Sequence, residues 1–176
     1  MSREGPWVFF LADAEGFLGR NVKSFSDRGG LVFRMDAAKF RSPGDVFREF
    51  SSRLIFPSYF GCNWDALADC LSRVHGSWHG GRDMVFLIDN SELIQEADFL
   101  GVLISSLSEA AENSNFQLDT DGEPTGFAPV AQNFIFLTKK EFLHGLVRNV
   151  RHRNICVDIF EDFAFAYQQD GIMVSG

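Results

Sequence analysis

FPSYFGCNWDALADCLSRVHGSWH, residues 56–79, is the most informative stretch of this 176-residue chain. On a helix starting at Asn63, the side chains of Trp64, Leu67, Leu71 and Val74 share one stripe, which must face a core. Asp65, Asp69, Ser72 and Arg73 lie on the opposite side, so two carboxylates stand one turn apart on the solvent face. Like charges at that spacing cost an isolated helix about 0.2–0.5 kcal/mol. Asn63 as N-cap and the positive end of the helix dipole compensate Asp65 in the first turn. Asp69, a turn further in, has no such compensation. Ahead of the helix, Tyr59, Phe60 and Gly61 form a short aromatic loop. Two readings follow from spacing alone. The carboxylates are a solvated helix face behind an aromatic staple, or they are an acidic binding surface with an apolar anchor beside it.

Upstream of this segment, WVFFL at 7–11 and LVFRMD at 31–36 read as strands, separated by a polar, glycine-containing stretch. Ser42 as N-cap, Pro43 at the first helical position and Asp45 in capping-box position open a helix. Its buried face is Val46, Phe47, Phe50 and Leu54, and Pro57 ends it. The helix at Asn63 runs to about His75, where Gly76, Gly80 and Gly81 break it. DMVFLID at 83–89 is a continuous apolar run, as expected of a parallel strand covered on both faces. From Ser91 to Asn113, Leu93, Ala97, Leu100, Ile104, Leu107 and Ala111 recur at steps of four and three, which predicts one long helix.

Residues 113–132 carry Asn, Asp, Gly and Pro without periodicity and read as a long loop or insertion. NFIFLT at 133–138 is the next strand. Thr138 caps a helix with Glu141 three residues on and Phe142, Leu143, Leu146 and Val150 inward. ICVDIF at 155–160 reads as a further strand, and the tail as a hairpin turning near Asp170-Gly171. Alternating strands and helices imply one α/β domain over residues 1–176, its mainly parallel central sheet packed with helices. LVFRM, MVFLI and NFIFL should be parallel neighbours.

The formal net charge is −8, from 24 acidic and 16 basic side chains, which disfavours direct nucleic-acid binding and attracts basic proteins. The 20 phenylalanines are core-filling by expectation. Cys62, Cys70 and Cys156 offer neither a disulfide framework nor zinc spacing and are expected as buried free thiols of a reducing compartment. No stretch reads as a signal peptide or a membrane span, so the expected location is the cytoplasm.

Residues 59–71 resemble the loop-and-helix segment of the barstar family. Tyr59, Phe60, Gly61, Asn63, Asp65, Ala66, Leu67, Asp69 and Leu71 fit its pattern without a gap. The order of flanking elements agrees from about residue 31 to 138, leaving 1–30 and 139–176 as extensions with extra strands and a hairpin. The resemblance implies a small intracellular inhibitor that inserts this helix and loop into the active site of a basic, barnase-type ribonuclease. It implies that Asp69 occupies a phosphate position facing cationic side chains, and that Tyr59, Asn63 and Asp65 are interface residues. A further interface glutamate would fall at about Glu109, whose helical phase points away from the core stripe. Phe60, Ser72 and Arg73 complete the expected partner-binding set. No catalytic residue, cofactor or metal belongs to the expected function.

Arg73 beside Asp69 and the terminal extensions support a second reading, an adaptor or regulator on the same fold whose protein partner is not a ribonuclease. A third is a magnesium-dependent enzyme using Asp36 and Asp89, each at the C-terminal end of an apolar strand. Aspartates there also commonly start turns or cap helices. His75 and His79 are spaced for a metal, but the glycines beside them argue against a helix holding that geometry. Asp119, Asp121 and Glu123 resemble half of a calcium loop without its later glutamate. Arg148, Arg151, His152 and Arg153 complement a helix C-terminus rather than bind RNA.

Overall fold

The computed structural model describes residues 5–12, 15–73, 81–117, 123–124, 126, 128–151, 155–159 and 163–167. Among these described residues, six strands form one sheet: β1 (Val8–Ala12), β2 (Leu31–Asp36), β3 (Met84–Asp89), β4 (Gln132–Thr138), β5 (Cys156–Ile159) and β6 (Phe163–Tyr167). Five α-helices among them accompany the sheet: α1 (Glu15–Asp27), α2 (Pro43–Leu54), α3 (Trp64–Ser72), α4 (Leu100–Phe116) and α5 (Lys140–Arg151). The strand order is β2-β3-β4-β1-β6-β5.

Strands β2, β3 and β4 are parallel neighbours, as the apolar runs predict, and β1 joins β4 as a fourth parallel strand. Strand β6 runs antiparallel to β1 and closes a hairpin with β5. The turn expected at Asp170-Gly171 lies outside the described residues. Strand β5 pairs with Phe163–Tyr167, whose alternating residues match the sheet period.

Two faces of the sheet are used unequally. Moving from β2 to β4 the chain steps one way across the sheet, and α2, α3 and α4 lie on one face. Between β1 and β2 it steps back the other way, so a crossover of the same hand must pass over the opposite face. Helix α1 does so. Leu18, Val22 and Phe25 pack there with Val32, Val85, Leu87 and Ile135. The sequence reading of residues 12–30 as a polar stretch is therefore corrected. Leu18, Val22 and Phe25 keep helical spacing, and the sheet beneath them supplies the burial that orders the segment.

The main core lies on the other face. Phe33, Phe86 and Phe134 occupy one register row across β2, β3 and β4. Their rings stack at centroid separations of 5.1 and 4.7 Å. Val46, Phe47, Phe50 and Leu54 bury the inner face of α2, as the capped periodic pattern predicts. Each such side chain stabilises by about 1.5–3 kcal/mol. Ser42 Oγ accepts from Asp45 N, and the Ser42 hydroxyl donates to Asp45 Oδ2. This network and Arg48 hold the Asp45 carboxyl below its ordinary range, the Ser42 bond being the larger cause.

The long helix predicted from Ser91 begins only at Leu100. Asn90 adopts the left-handed region (φ 54°), and Ser91–Ile94 form a 3-10 turn held by the bond from Ser91 Oγ to Ile88 O. The tighter turn shifts the phase, so Ile94 is buried and Leu93 is exposed. At its other end α4 continues through Phe116, into the region read as a loop. Thr138 ends β4 and donates to Glu92 Oε2 rather than capping α5, which starts at Lys140.

Candidate functional site

Helix α3 is short, and its position is enforced from both ends. Asn63 sits in extended conformation and its Oδ1 accepts from Ala66 N at 2.8 Å, as the capping argument predicts. A Cβ at Gly61 would lie 3.2 Å from Asn63 Nδ2, so the glycine keeps the cap unobstructed. At the far end, the fully buried Gln132 of β4 donates from Nε2 to Leu71 O at 2.7 Å. That bond ties one of the last carbonyls of α3 to the central sheet.

Leu67 and Leu71 are fully buried and Ala68 nearly so. Trp64 is half-buried, edge-on to Phe47 at 4.7 Å and stacked on Phe99 at 6.3 Å. Val74, the last member of the expected stripe, lies outside the described residues. The inward face is thus settled by packing, and helical phase turns Asp65 and Asp69 outward. Asp65 is exposed, and Asp69 is 38 % exposed. Arg73, at the C-cap, places Nε 2.9 Å from Asp69 Oδ1 and is itself 66 % exposed. This is a surface pair, so the acidic face is not a core ion pair in disguise.

Other expected site residues divide. Tyr59 is 81 % exposed and projects from the loop as an anchor would. Phe60 is half-buried, set edge-on between Phe56 (5.0 Å) and Phe47 (6.2 Å), so it staples the loop to the core. Ser72 departs from its expected exposed position. It is buried next to Ala68 on the helix surface, with Oγ donating to Asp69 O at 2.9 Å. The buried stripe is wider than the large apolar residues alone indicate, because the small Ala68 also faces inward. Glu109 is exposed on α4, the helix against which α3 packs. Gln132, which positions α3, was not singled out from sequence. A polar residue opening an apolar strand was its only signal.

Cys70 is half-buried, and burial, with the Asp69 carboxylate, raises the pKa of its thiol. Cys62 is exposed, against the expectation of buried thiols, because it occupies a left-handed loop position (φ 48°) just before the helix cap. Asp36 and Asp89 face each other in register across β2 and β3. Asp36 Oδ1 accepts from Asn90 Nδ2 and Ala38 N, which lower its pKa, the Asn90 bond foremost. Asp89 gives both oxygens to Arg34, at 2.6 and 2.8 Å. The two carboxylates therefore act as a turn cap and a cross-strand ion pair, and do not form an open pair.

His75, His79, Asp119, Asp121, His152 and Arg153 lie outside the described residues. Glu123 and Arg148 are exposed. Among the described residues, no three His, Cys, Asp or Glu side chains come together as a metal site would require, and no helix is long and apolar enough to cross a membrane.

No curated protein matches the chain. The family model for Barstar (barnase inhibitor) matches residues 31–126. That span runs from β2 through α2, α3, β3 and α4 and on past the end of α4, stopping short of β4, and covers more than half of the 176 residues. With the α/β fold and the capped acidic helix, it identifies the chain as a member of the barstar family.

Proposed function

We propose that the protein is an inhibitor, or immunity-type binding protein, that occludes the active site of a basic ribonuclease with α3 and the loop before it. One observation carries the reading: Asp65 and Asp69 project from a helix whose opposite face packs into the core through Leu67, Ala68 and Leu71 and whose ends are both fixed. Such a face meets a cationic pocket without reorganising, which lowers the ordering cost of binding. In this reading Asp69 takes the place of a substrate phosphate, Asp65 and Asn63 flank it, Tyr59 covers the pocket rim and Glu109 adds a peripheral charge. The net charge of −8 steers a basic partner toward the site. The partner is a secreted or toxin-type ribonuclease, held in check in the cytoplasm.

The test is direct titration of a barnase-type ribonuclease with the purified protein, following RNA cleavage and heat of binding. Stoichiometric inhibition, weakened by salt, is the expected result. Full ribonuclease activity at a large molar excess of the protein would reject the reading.

The Asp69–Arg73 pair favours a second reading on the same surface. A carboxylate already holding a guanidinium is a weaker phosphate mimic, and Arg73 adds a positive contact. That suits an adaptor or regulator docking on a protein with its own acidic group. Capture of a non-ribonuclease partner whose binding is lost in Arg73→Ala would establish it.

A further inference from the structure

Helix α1 meets the sheet as a wedge. Near its C-terminal end Phe25 is buried with Val85 and Ile135, and its ring lies where a Cβ on Gly30 would collide with it. Toward its N-terminal end the helix stands off. Leu18 and Val22 share a side with Phe25 but are only half-buried, as are Val32 and Leu137 on the strands below. Between them opens a cleft of about 800 Å³, within the roughly 300–1,000 Å³ of small-molecule sites. Leu87 forms its buried floor.

The cleft opens where sheets of this class take ligands. Strands β4 and β1 are parallel neighbours, yet the chain leaves β1 for α1 on one face and β4 for α5 on the other, where Leu143, Leu146 and Val150 join the main core. Such a divergence leaves a crevice beyond the carboxyl ends of the strands. Asp89, ending β3, and Lys139, directly after β4, line the cleft at that end. Gly19 lines it from the helix. Glycine is disfavoured inside a helix, and no packing requires one here, because a Cβ at Gly19 would meet nothing within 4 Å. Its effect is to keep the cleft open.

We propose that this cleft binds a small amphipathic acid, its apolar body held between α1 and the sheet and its single carboxylate among Lys23, Arg34 and Lys139. The unused hydrogen-bonding capacity of the rim selects the head group. Arg34 gives Asp89 two N–H bonds of the five that a guanidinium carries. Lys23 Nζ is 2.7 Å from Asp27, and Lys139 Nζ is 3.7 Å from Glu92, too far for a hydrogen bond. All three cations therefore keep free donors. The carboxylates are more committed, since Asp89 gives both oxygens to Arg34 and Glu92 accepts from Thr138. They also lie deeper: the side chains of Arg34 and Lys139 are 66 % and 64 % exposed, those of Asp89 and Glu92 25 % and 10 %. An incoming group meets the cations first. Asp27, Asp89 and Glu92 balance the three cations in formal charge, so one added negative charge is accommodated better than a multiply charged group. The site lies on the sheet face opposite α3 and stands whether or not the acidic helix binds a ribonuclease.

Decanoate, decanol and decyltrimethylammonium share a tail and differ in the charge of the head group. Each is titrated into the full chain, following the methyl resonances of Leu18, Val22, Val32 and Leu137. Decanoate gives saturating shifts and binds at least about tenfold more tightly than either of the others. Gly19→Leu fills the cleft and removes those shifts, while its thermal midpoint equals or exceeds that of the wild type, because leucine is the better helix former. Lys23→Gln combined with Lys139→Gln, both at exposed positions, weakens decanoate about tenfold and leaves decanol unchanged. No saturating shift with decanoate overturns the site. Equal affinities for decanoate and decanol overturn it as well, since the cleft is then only an apolar surface. So do shifts that persist in folded Gly19→Leu, or undiminished decanoate binding in the double lysine variant.

Discussion

Asp69 and Arg73 face each other across one turn of α3, with the guanidinium Nε 2.9 Å from the carboxylate Oδ1. Both side chains are substantially exposed, so solvent screens the pair and its contribution to folding is about 0.3–0.5 kcal/mol at most. Asp69 also sits four residues from Asp65, a repulsion of similar size. The two nearly cancel. Asp69→Ala should therefore leave urea stability within about 0.5 kcal/mol of the wild type. Against a barnase-type ribonuclease the same change should cost about 2–5 kcal/mol of binding, because cations in the partner are left desolvated and unpaired. Paired calorimetric and denaturation measurements check both halves. Equal affinities for wild type and variant would leave the acidic face merely solvated.

Arg73→Gly distinguishes the two readings of the surface. Removing the guanidinium frees Asp69 Oδ1 and raises the local negative charge, so binding to a basic ribonuclease should tighten and associate faster at low salt. Binding to a partner that Arg73 itself contacts should loosen. Stopped-flow association at two ionic strengths reads the difference.

Gln132 should matter more to stability than any exposed acidic residue. Gln132→Ala opens a hole beside α3 and leaves Leu71 O without its 2.7 Å donor. A buried truncation with a lost hydrogen bond costs about 2–4 kcal/mol, whereas exposed Asp65→Ala should change stability by less than about 0.5 kcal/mol. Urea midpoints at constant slope test the contrast.

The cysteines should separate by alkylation rate. Burial and Asp69 raise the Cys70 pKa, keeping it a protonated thiol at mildly alkaline pH, while Cys62 is exposed. Iodoacetamide followed by mass spectrometry should label Cys62 well before Cys70, and Asp69→Asn should speed Cys70 by removing a nearby negative charge. Equal rates at the two sites in the native protein would contradict the placement of α3.

Acid stability should depend on the α2 cap. The Ser42 hydroxyl, and then Arg48, hold the Asp45 pKa below its unfolded value. A lowered folded pKa means that the unfolded chain binds protons first. This stabilisation is present above the unfolded value and lost as pH falls through the folded one. In Asp45→Asn the decline of thermal midpoint across that acidic window should be shallower than in the wild type.

Much of this architecture was legible because it is local. Ser42 and Pro43 start α2, Val46, Phe47, Phe50 and Leu54 share its inner face, and Asn63 caps α3, all within a few residues along the chain. The runs at 31–36 and 83–89 are strands, the second starting one residue later at Met84, since continuous apolar sequence has few other uses. The outward phase of Asp65 and Asp69 follows once Leu67 and Leu71 are inward, and their spacing alone placed Arg73 near Asp69.

What lay beyond the sequence depends on groups distant in the chain. Helix α1 is ordered by burial against β2, β3 and β4, which a reading of residues 12–30 in isolation does not include. The pattern from Leu93 to Ala111 is broken by the 3-10 turn Ser91–Ile94, entered from left-handed Asn90, which turns Ile94 rather than Leu93 inward before α4 begins at Leu100. Ser72 is buried because Ala68 beside it also packs inward, and Phe60 is held between rings from α2 and the end of that helix. The insertion of β1 between β4 and β6 is a choice of pairing partner, made by register and side-chain packing across the sheet. Periodicity along one chain tells which face is apolar. Only the folded sheet decides what that face meets.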